Sequence, residues 1–249
     1  MLKLWKRGSA PAADGSMTVL EHLTELRRRL MICILAVVIG GIVVFIFSDN
    51  LINWLKKPYC DAIDASDCKL IYTNVLDGFA TRLFVAGYGG FVVAFPVVIT
   101  QVWRFISPGL QPKERRYAIP FIVSAIVLFA LGVVVALVTL PKALQFLLDI
   151  GGSGTQPLLA VKPYVSFVAL MSVAFGISFE FPIVIMMLLL AGIVTTQRLR
   201  KSRRMAFLVI VVFAAVITPS QDPFSLFFMA VPMYVFYEAA IVLGRILKK

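Results

Sequence analysis

Three long uncharged runs constrain the fold of this chain more than any other feature of its sequence. They cover residues 30–47, 83–102 and 118–140, and they contain no Asp, Glu, Lys, Arg or His. A helix needs about 20 mostly apolar residues to cross the ~30 Å hydrocarbon core of a bilayer. With 60% hydrophobic and 15% charged residues, the 249-residue chain also lacks the polar surface that a water-soluble protein of this size requires. The sequence therefore predicts an all-α integral membrane protein.

Three less uniform apolar runs follow, and they cover residues 165–193, 205–217 and 224–243. Glu180 and Pro182 interrupt the first of these runs, and Glu238 lies in the last. Counting all six runs as spans, we predict that residues 18–249 form a polytopic membrane helical bundle. Its predicted architecture is six transmembrane helices with short fifth and sixth spans.

The shortness of run 205–217 leaves two interpretations open. Its 13 residues correspond to ~20 Å of helix, which is less than the hydrocarbon thickness. Runs 205–217 and 224–243 form either a re-entrant hairpin or a pair of true spans that thin the bilayer around themselves. We favour true spans, because the connecting turn 218–223 holds Asp222 and two prolines and is too polar to remain in lipid.

The distribution of Lys and Arg predicts the orientation of the helices. If the N-terminus is inside, the inside segments hold 18 of the 24 Lys and Arg residues. These segments are residues 1–29, 103–117, 194–204 and 244–249. Such asymmetry follows the positive-inside rule and predicts that both chain ends are cytoplasmic. The net charge of +11 is thereby explained by topology, and we expect no nucleic-acid partner, because no basic segment lies in a soluble domain.

The remaining segments are predicted to lie outside the membrane. Residues 1–17 read as a flexible cytoplasmic tail, and no cleavage site follows the first apolar run, so that run is expected to stay as an anchor. Residues 48–82 form an outside cap, in which the surroundings of Pro58 indicate a flexible loop. Cys60 and Cys68 in this cap either form a disulfide or remain two free thiols. We favour the disulfide, because an oxidising outer compartment allows it.

Two acids, Glu25 and Glu114, lie in strongly basic inside segments. Glu25 precedes Arg29 by four residues, the order that favours an ion pair on a helix. Glu114 is followed directly by Arg115 and Arg116. A local ion pair explains Glu25 at least as well as a binding role does. A solvated charged turn explains Glu114 equally well. They are also the only inside acids between the first helix turn and the end of the chain, which makes them natural docking points for a cationic partner.

Two further acids, Glu180 and Glu238, lie within predicted spans. An ionisable group there costs several kcal/mol and points to a function. The alternative is a protonated carboxyl bonded to a neighbouring helix, or, for Glu238, an approach to the interface. The chain has one histidine, His22, and no cluster with the spacing of metal ligands or of a nucleophile and its base. We therefore expect no metal, no cofactor and no enzyme activity.

Five segments share long motifs with one known family. The first is residues 22–30, which read HLTELRRRL. The others are residues 101–116, 175–182, 218–222 and 232–238. In these segments the chain resembles the TatC family, the core subunit of the twin-arginine protein translocase. The similarity keeps the family order from about residue 20 to residue 247.

The resemblance implies a receptor in a bacterial cytoplasmic (inner) membrane that binds the Arg-Arg signal peptides of folded precursor proteins at its cytoplasmic face. In the family, the carboxylates at the positions of Glu25 and Glu114 are implicated in recognising the paired arginines. Phe105, Arg115 and Arg116 match positions that support that site.

Further roles are implied away from this site. Pro58 in the cap and Glu180 in the membrane match positions that are tied to function. The implied partners are single-span subunits of the TatA and TatB type, further copies of the chain in a receptor complex, and membrane lipids, with the proton-motive force as the driving force. Some members carry a glutamine early in span six, where this chain reads FSLF at residues 224–227. A polar partner-docking cluster is therefore not carried over to that segment.

An ion-coupled secondary transporter is the competing interpretation, with Glu180 and Glu238 as proton sites. Transporters of that kind usually contain repeats with paired broken helices. Here only the predicted fourth span is both broken and charged, so we favour the receptor.

Overall fold

The computed structural model describes residues 19–63, 69–109, 118–150, 159–220 and 222–246. These residues fold into helices and short connections, which confirms the predicted all-α class. The helices are α1 (Val19–Ile46), α2 (Ser48–Ile63), α3 (Asp77–Ile106), α4 (Ala118–Ile150), α5 (Val161–Ser178), α6 (Phe181–Leu190), α7 (Thr196–Lys201), α8 (Arg203–Ile217) and α9 (Pro223–Ile246), with a 3₁₀ turn at Ser107–Gly109. The predicted tail, residues 1–17, lies outside the described residues.

Five segments of the described chain are long and apolar enough to cross a membrane. They are Leu20–Ile46, Asp77–Ile106, Ala118–Ile150, Val161–Leu190 and Pro223–Ile246. The chain is therefore a multi-pass membrane protein. Helix α8 has only 15 residues, or about 22 Å of helix, as the short run 205–217 predicted.

The prediction of a short sixth span is wrong. Helix α9 has 24 residues, or about 36 Å, which is ample for the hydrocarbon core. Run 224–243 alone has 20 residues, and the helix adds residue 223 before it and residues 244–246 after it. Asp222 caps the start, because its carboxylate accepts a hydrogen bond from the backbone N–H of Ser225 at 2.8 Å, and Pro223 occupies the first helical position, which suits it.

Residues 19–29 and the first apolar run form one continuous helix. Helix α1 runs for 28 residues, because residues 20–35 are mostly Leu, Glu, Arg and other good helix formers with no Pro or Gly among them. As a result, Glu25 lies on the same rigid helix as the first apolar run.

The predicted flexible loop around Pro58 is wrong, because Pro58 lies inside helix α2. Proline normally weakens a helix interior. Here an apolar face compensates: Ile52, Leu55 and Tyr59 are buried at helical spacing. The hydroxyl of Tyr164 on α5 also donates to the carbonyl oxygen of Leu55 at 2.7 Å, which anchors α2 to the bundle.

The rest of the described cap is tied to the start of α5. The backbone N–H of Ile71 donates to the carbonyl oxygen of Leu159 at 3.1 Å, and that of Val161 donates to the carbonyl oxygen of Ile71 at 2.9 Å. Helix α3 begins at Asp77, earlier than the uncharged run at residue 83 predicted. The Asp77 carboxylate accepts a hydrogen bond from the backbone N–H of Asn74 at 2.8 Å, which holds the turn that leads into the helix.

Span four is broken between α5 and α6. Pro182 has no N–H to donate to the carbonyl of Ser178, so the helical ladder fails at that turn. The N–H of Glu180 bonds instead to the carbonyl oxygen of Ile177 at 3.0 Å, three residues back. Glu180 therefore lies at a break in the helix.

Helices α1 and α3 cross at glycines. A Cβ added to Gly90 would lie 2.5 Å from the backbone nitrogen of Gly41, and one added to Gly40 would lie 2.8 Å from the carbonyl oxygen of Gly90. Small residues of this kind let membrane helices approach backbone to backbone. This crossing sets the register between the end of α1 that carries Glu25 and the end of α3 that carries Phe105.

Candidate functional site

Glu25 on α1 forms an ion pair with Arg29 one turn later. Its Oε1 atom accepts a hydrogen bond from Nε of Arg29 at 2.9 Å and a second, short one from Nη2. The two side chains are largely buried, at 19% and 20% exposure. Both bonds end on this one oxygen, so the guanidinium holds the carboxylate by Oε1 and leaves Oε2 outside the ion pair.

Gln101 connects this pair to α3. Nη1 of Arg29 donates to Oε1 of Gln101 at 3.4 Å, and Gln101 is only 7% exposed. Arg29 therefore bridges the two helices. Sequence reasoning assigned no role to Gln101; the available signal was a polar residue at the end of the uncharged run on α3.

The second carboxylate oxygen of Glu25 is buried, and it has no hydrogen-bond partner within the described ranges. A carboxylate can accept about four hydrogen bonds, and a buried acceptor without a donor is unfavourable by about 1–3 kcal/mol. Half of the Glu25 carboxylate is therefore held by Arg29, and the other half is suited to a further donor.

An aromatic pair lies beside Glu25. The rings of His22 on α1 and Phe105 on α3 stack with their centroids 4.4 Å apart and an angle of 16° between their planes. His22 precedes Glu25 by one helical turn. The structure thus brings Phe105, predicted as a supporting residue, to the same α1–α3 surface as Glu25.

An apolar groove of about 450 Å³ continues from this cluster between α1 and α3. Arg29, Gln101 and Phe105 line one end, and side chains such as Leu30 and Val102 line the rest. The arrangement places the hydrogen-bond acceptor of Glu25 next to an apolar groove. It suits a cation that is followed by an apolar segment.

The other predicted members of the site are Glu114, Arg115 and Arg116, and they lie outside the described residues. Their proximity to Glu25 remains a prediction. Phe105 is close to the end of the described part of α3, which is followed by the 3₁₀ turn Ser107–Gly109.

Glu180 is separate from the Glu25 cluster in every contact that the structure describes. Both of its carboxylate oxygens are buried, and among the described residues they have no hydrogen-bond partner. The carboxyl group lies at the α5–α6 break, and its functional role remains a prediction.

Glu238 is paired. Its Oε2 atom accepts a hydrogen bond from Nη2 of Arg203 at 2.6 Å, and its Oε1 accepts one from the hydroxyl of Tyr234 at 3.4 Å. The side chain is 31% exposed. This ion pair accounts for a charged group near the end of α9 without a transport role, although a further function for Glu238 remains a prediction.

The cysteines of the cap are described in part. Cys60 on α2 is disulfide-bonded, whereas Cys33 on α1 is free. Cys68 lies outside the described residues, so the pairing of Cys60 with Cys68 remains a prediction. Within the described ranges, no group of three His, Cys, Asp or Glu residues is placed to hold a metal ion.

The fold and the Glu25 cluster define a class: polytopic helical membrane proteins with a carboxylate–guanidinium pair between their first two spans. A sequence model of the family described as "Sec-independent protein translocase protein (TatC)" matches residues 21–232. The chain belongs to the TatC family.

Individual relatives agree with this assignment. The chain is 43% identical over 248 residues to the Sec-independent protein translocase protein TatC of Frankia casuarinae, covering 96% of this chain and 68% of that protein. It is 36% identical over 236 residues to the TatC protein of Carboxydothermus hydrogenoformans, covering 94% and 96% respectively. A crystal structure described as a twin arginine translocase receptor, TatC, superimposes with a TM-score of 0.76 at 37% identity and covers 92% of this chain and all of that one. The two relatives are described as protein translocase proteins, and the solved structure as a translocase receptor.

Proposed function

We propose that this protein is the membrane receptor and core component of a twin-arginine translocase, and that it binds Arg-Arg signal peptides of folded precursor proteins at its cytoplasmic face. The observation that carries the proposal is the Glu25 carboxylate, of which one oxygen is held by Arg29 and the other is buried with no partner among the described residues. The family match and the solved receptor structure support the same function.

Recognition starts at the second oxygen of Glu25. An incoming guanidinium donates to this atom while Arg29 and Gln101 keep the carboxylate in place. The stacked rings of His22 and Phe105 offer an aromatic face beside it, on which a guanidinium packs favourably. Signal peptides carry an apolar segment after their charged one, and the α1–α3 groove fits such a segment.

The second arginine of the peptide is assigned to Glu114, with Arg115 and Arg116 beside it. A pair of carboxylates matches a pair of guanidiniums in charge, on a face where cations are otherwise in large excess. Single-span subunits of the TatA and TatB type and further copies of this chain complete the complex. The proton-motive force drives transport.

The topology belongs to the same proposal: six spans in a bacterial inner membrane, with both chain ends cytoplasmic. Helix α8 is counted as the fifth span, although it is only about 22 Å long, and the bilayer thins around it. The polar turn that follows α8 supports this assignment. Asp222 there is buried and takes part in hydrogen bonds with Ser220 and Ser225, an arrangement that suits the outer surface better than lipid.

The topology of α8 is testable at its two ends. In a Cys33→Ala background, Ser220→Cys is expected to react with an impermeant thiol reagent added from outside. Ser202→Cys, at the other end of the same helix, is the matched control. It is expected to react only after the membrane is permeabilised, so that the reagent reaches the cytoplasmic face. Labelling of both cysteines from the cytoplasmic side alone would establish a re-entrant hairpin.

The ion-coupled transporter is supported by one observation, the buried carboxylate of Glu180 at a broken helix. Its usual architecture requires a paired second break. Helices α3, α4 and α9 each contain a proline but run without interruption. Within the described ranges, span four is therefore the only predicted span with such a break, and the receptor is the better-supported function.

Glu180→Gln distinguishes a functional role of the Glu180 carboxyl group in transport from a purely structural role. Glutamine keeps the shape and hydrogen bonding, so the fold and signal-peptide binding are expected to be retained. Transport is expected to fall by roughly ten-fold or more, the effect of losing ~1.5 kcal/mol of charge-dependent interaction. Export of a reporter precursor from cells measures this change, with the exposed Glu21→Gln as the control. Wild-type export by the Glu180 variant would make the residue structural.

A further inference from the structure

A second basic surface lies where α7 meets α8, away from the Glu25 cluster. We call it the α7–α8 basic surface, and it consists of Arg198, Arg200, Lys201, Arg203 and Arg204. All five residues are exposed. Arg203 pairs with Glu238, and no described carboxylate pairs with the other four. The surface therefore carries a local excess of positive charge that the described residues do not neutralise.

This surface is held in place by α9. The hydroxyl of Tyr237 donates to the carbonyl oxygen of Leu199 at 2.8 Å. Thr196 packs so closely against α9 that a Cβ added to Gly244 would lie 2.6 Å from its methyl carbon. The cations are thus presented from a fixed position on the bundle.

Exposed apolar side chains adjoin the cations on α8. Met205, Phe207 and Leu208 are each more than half exposed. Because α8 is about 22 Å long and the hydrocarbon core is ~30 Å thick, lipids that touch this helix are drawn toward its ends. Lipid phosphates at the α7 end of α8 then lie level with Arg203 and Arg204.

We propose that the α7–α8 basic surface binds the head group of an anionic phospholipid, whose acyl chains lie along Met205, Phe207 and Leu208. A guanidinium matches a phosphate through two parallel hydrogen bonds. The excess of cations favours a head group with net negative charge and disfavours one that carries its own ammonium group. This site is independent of signal-peptide binding.

The proposal is tested on the full chain in detergent by native mass spectrometry during titration with phosphatidylglycerol or phosphatidylcholine. Wild type is expected to retain phosphatidylglycerol preferentially. The triple variant R200Q/K201Q/R204Q leaves the Arg203–Glu238 pair intact. It is expected to bind phosphatidylglycerol about 100-fold more weakly, since each cation near an anionic surface contributes about five-fold. If the triple variant does not fold, Arg204→Gln alone is expected to show the five-fold loss.

The control is R27Q/R28Q/R104Q, which removes three exposed cations from α1 and α3 instead. It is expected to keep its phosphatidylglycerol affinity to within about two-fold. Equal losses in the two triple variants would show a general attraction of lipid to basic residues and overturn the proposal. So would unchanged affinity in R200Q/K201Q/R204Q, or displacement of the lipid by millimolar inorganic phosphate, which would identify a site for the free ion.

Discussion

Gly90→Ala is expected to lower the stability of the protein by about 1–3 kcal/mol, the usual effect of overpacking a close contact. The added methyl group would lie 2.5 Å from the backbone nitrogen of Gly41 and 2.7 Å from the carbonyl oxygen of Val37. Backbone atoms cannot rotate away as a side chain can, so α1 and α3 have to separate. Thermal unfolding in detergent measures the loss.

Gly87→Ala is the matched control on the same helix. A Cβ at Gly87 meets nothing within 4 Å in the described structure. Because alanine favours a helix over glycine by about 0.5–1 kcal/mol, this variant is expected to be neutral or slightly more stable. Equal melting temperatures for the two variants would show that the crossing tolerates a wider separation.

Gly90→Ala is also expected to weaken signal-peptide binding. Glu25 lies on α1, whereas Gln101 and Phe105 lie on α3, and the glycine crossing sets their separation. Moving the helices apart lengthens the Arg29–Gln101 contact, already 3.4 Å, and opens the His22–Phe105 stack. The binding loss in Gly90→Ala therefore reports on the register between the helices, without any change to a side chain of the site.

The spans were predictable from the sequence because an uncharged run of about 20 residues is typical of a transmembrane helix. Helix ends were less predictable. Helix α3 begins at Asp77 and α9 at Pro223, each outside its apolar run, and at each start an Asp carboxylate accepts a hydrogen bond from a nearby backbone N–H. Pro58 was misinterpreted for a related reason: the burial of Tyr59 and Leu55 on one face outweighs the penalty of a proline within α2.

From residue spacing alone, the site was predictable only along a single helix, and Phe105 was assigned to it by the family resemblance. The spacing of Glu25 and Arg29 predicted a local ion pair, and the structure contains it. The contacts to Gln101 and Phe105 join residues far apart in sequence, and they depend on how α1 crosses α3. No spacing along the chain encodes that register. For the same reason, the pairing of Arg203 with Glu238 was not foreseen.

Glu25→Ala and Glu114→Ala are each expected to weaken the binding of an Arg-Arg peptide by about 1–3 kcal/mol, the range for charge-assisted hydrogen bonds. The segments predicted to lie inside are strongly cationic, so long-range electrostatics oppose a dicationic peptide, and short-range contacts have to supply the affinity. Glu21→Ala makes the same charge change on an exposed residue of α1 and is expected to alter affinity by less than about two-fold.

The most direct test of the receptor function compares Arg-Arg and Lys-Lys peptides on wild type and on the Glu25→Ala/Glu114→Ala double variant. A lysine ammonium cannot reproduce the two parallel hydrogen bonds of a guanidinium. Dissociation constants from fluorescence anisotropy are expected to show a lysine penalty of about ten-fold or more in wild type and little penalty in the double variant, the non-additivity that direct contact produces. Equal binding of the two peptides by wild type, or a lysine penalty that survives in the double variant, would contradict recognition of the arginine pair by these two carboxylates.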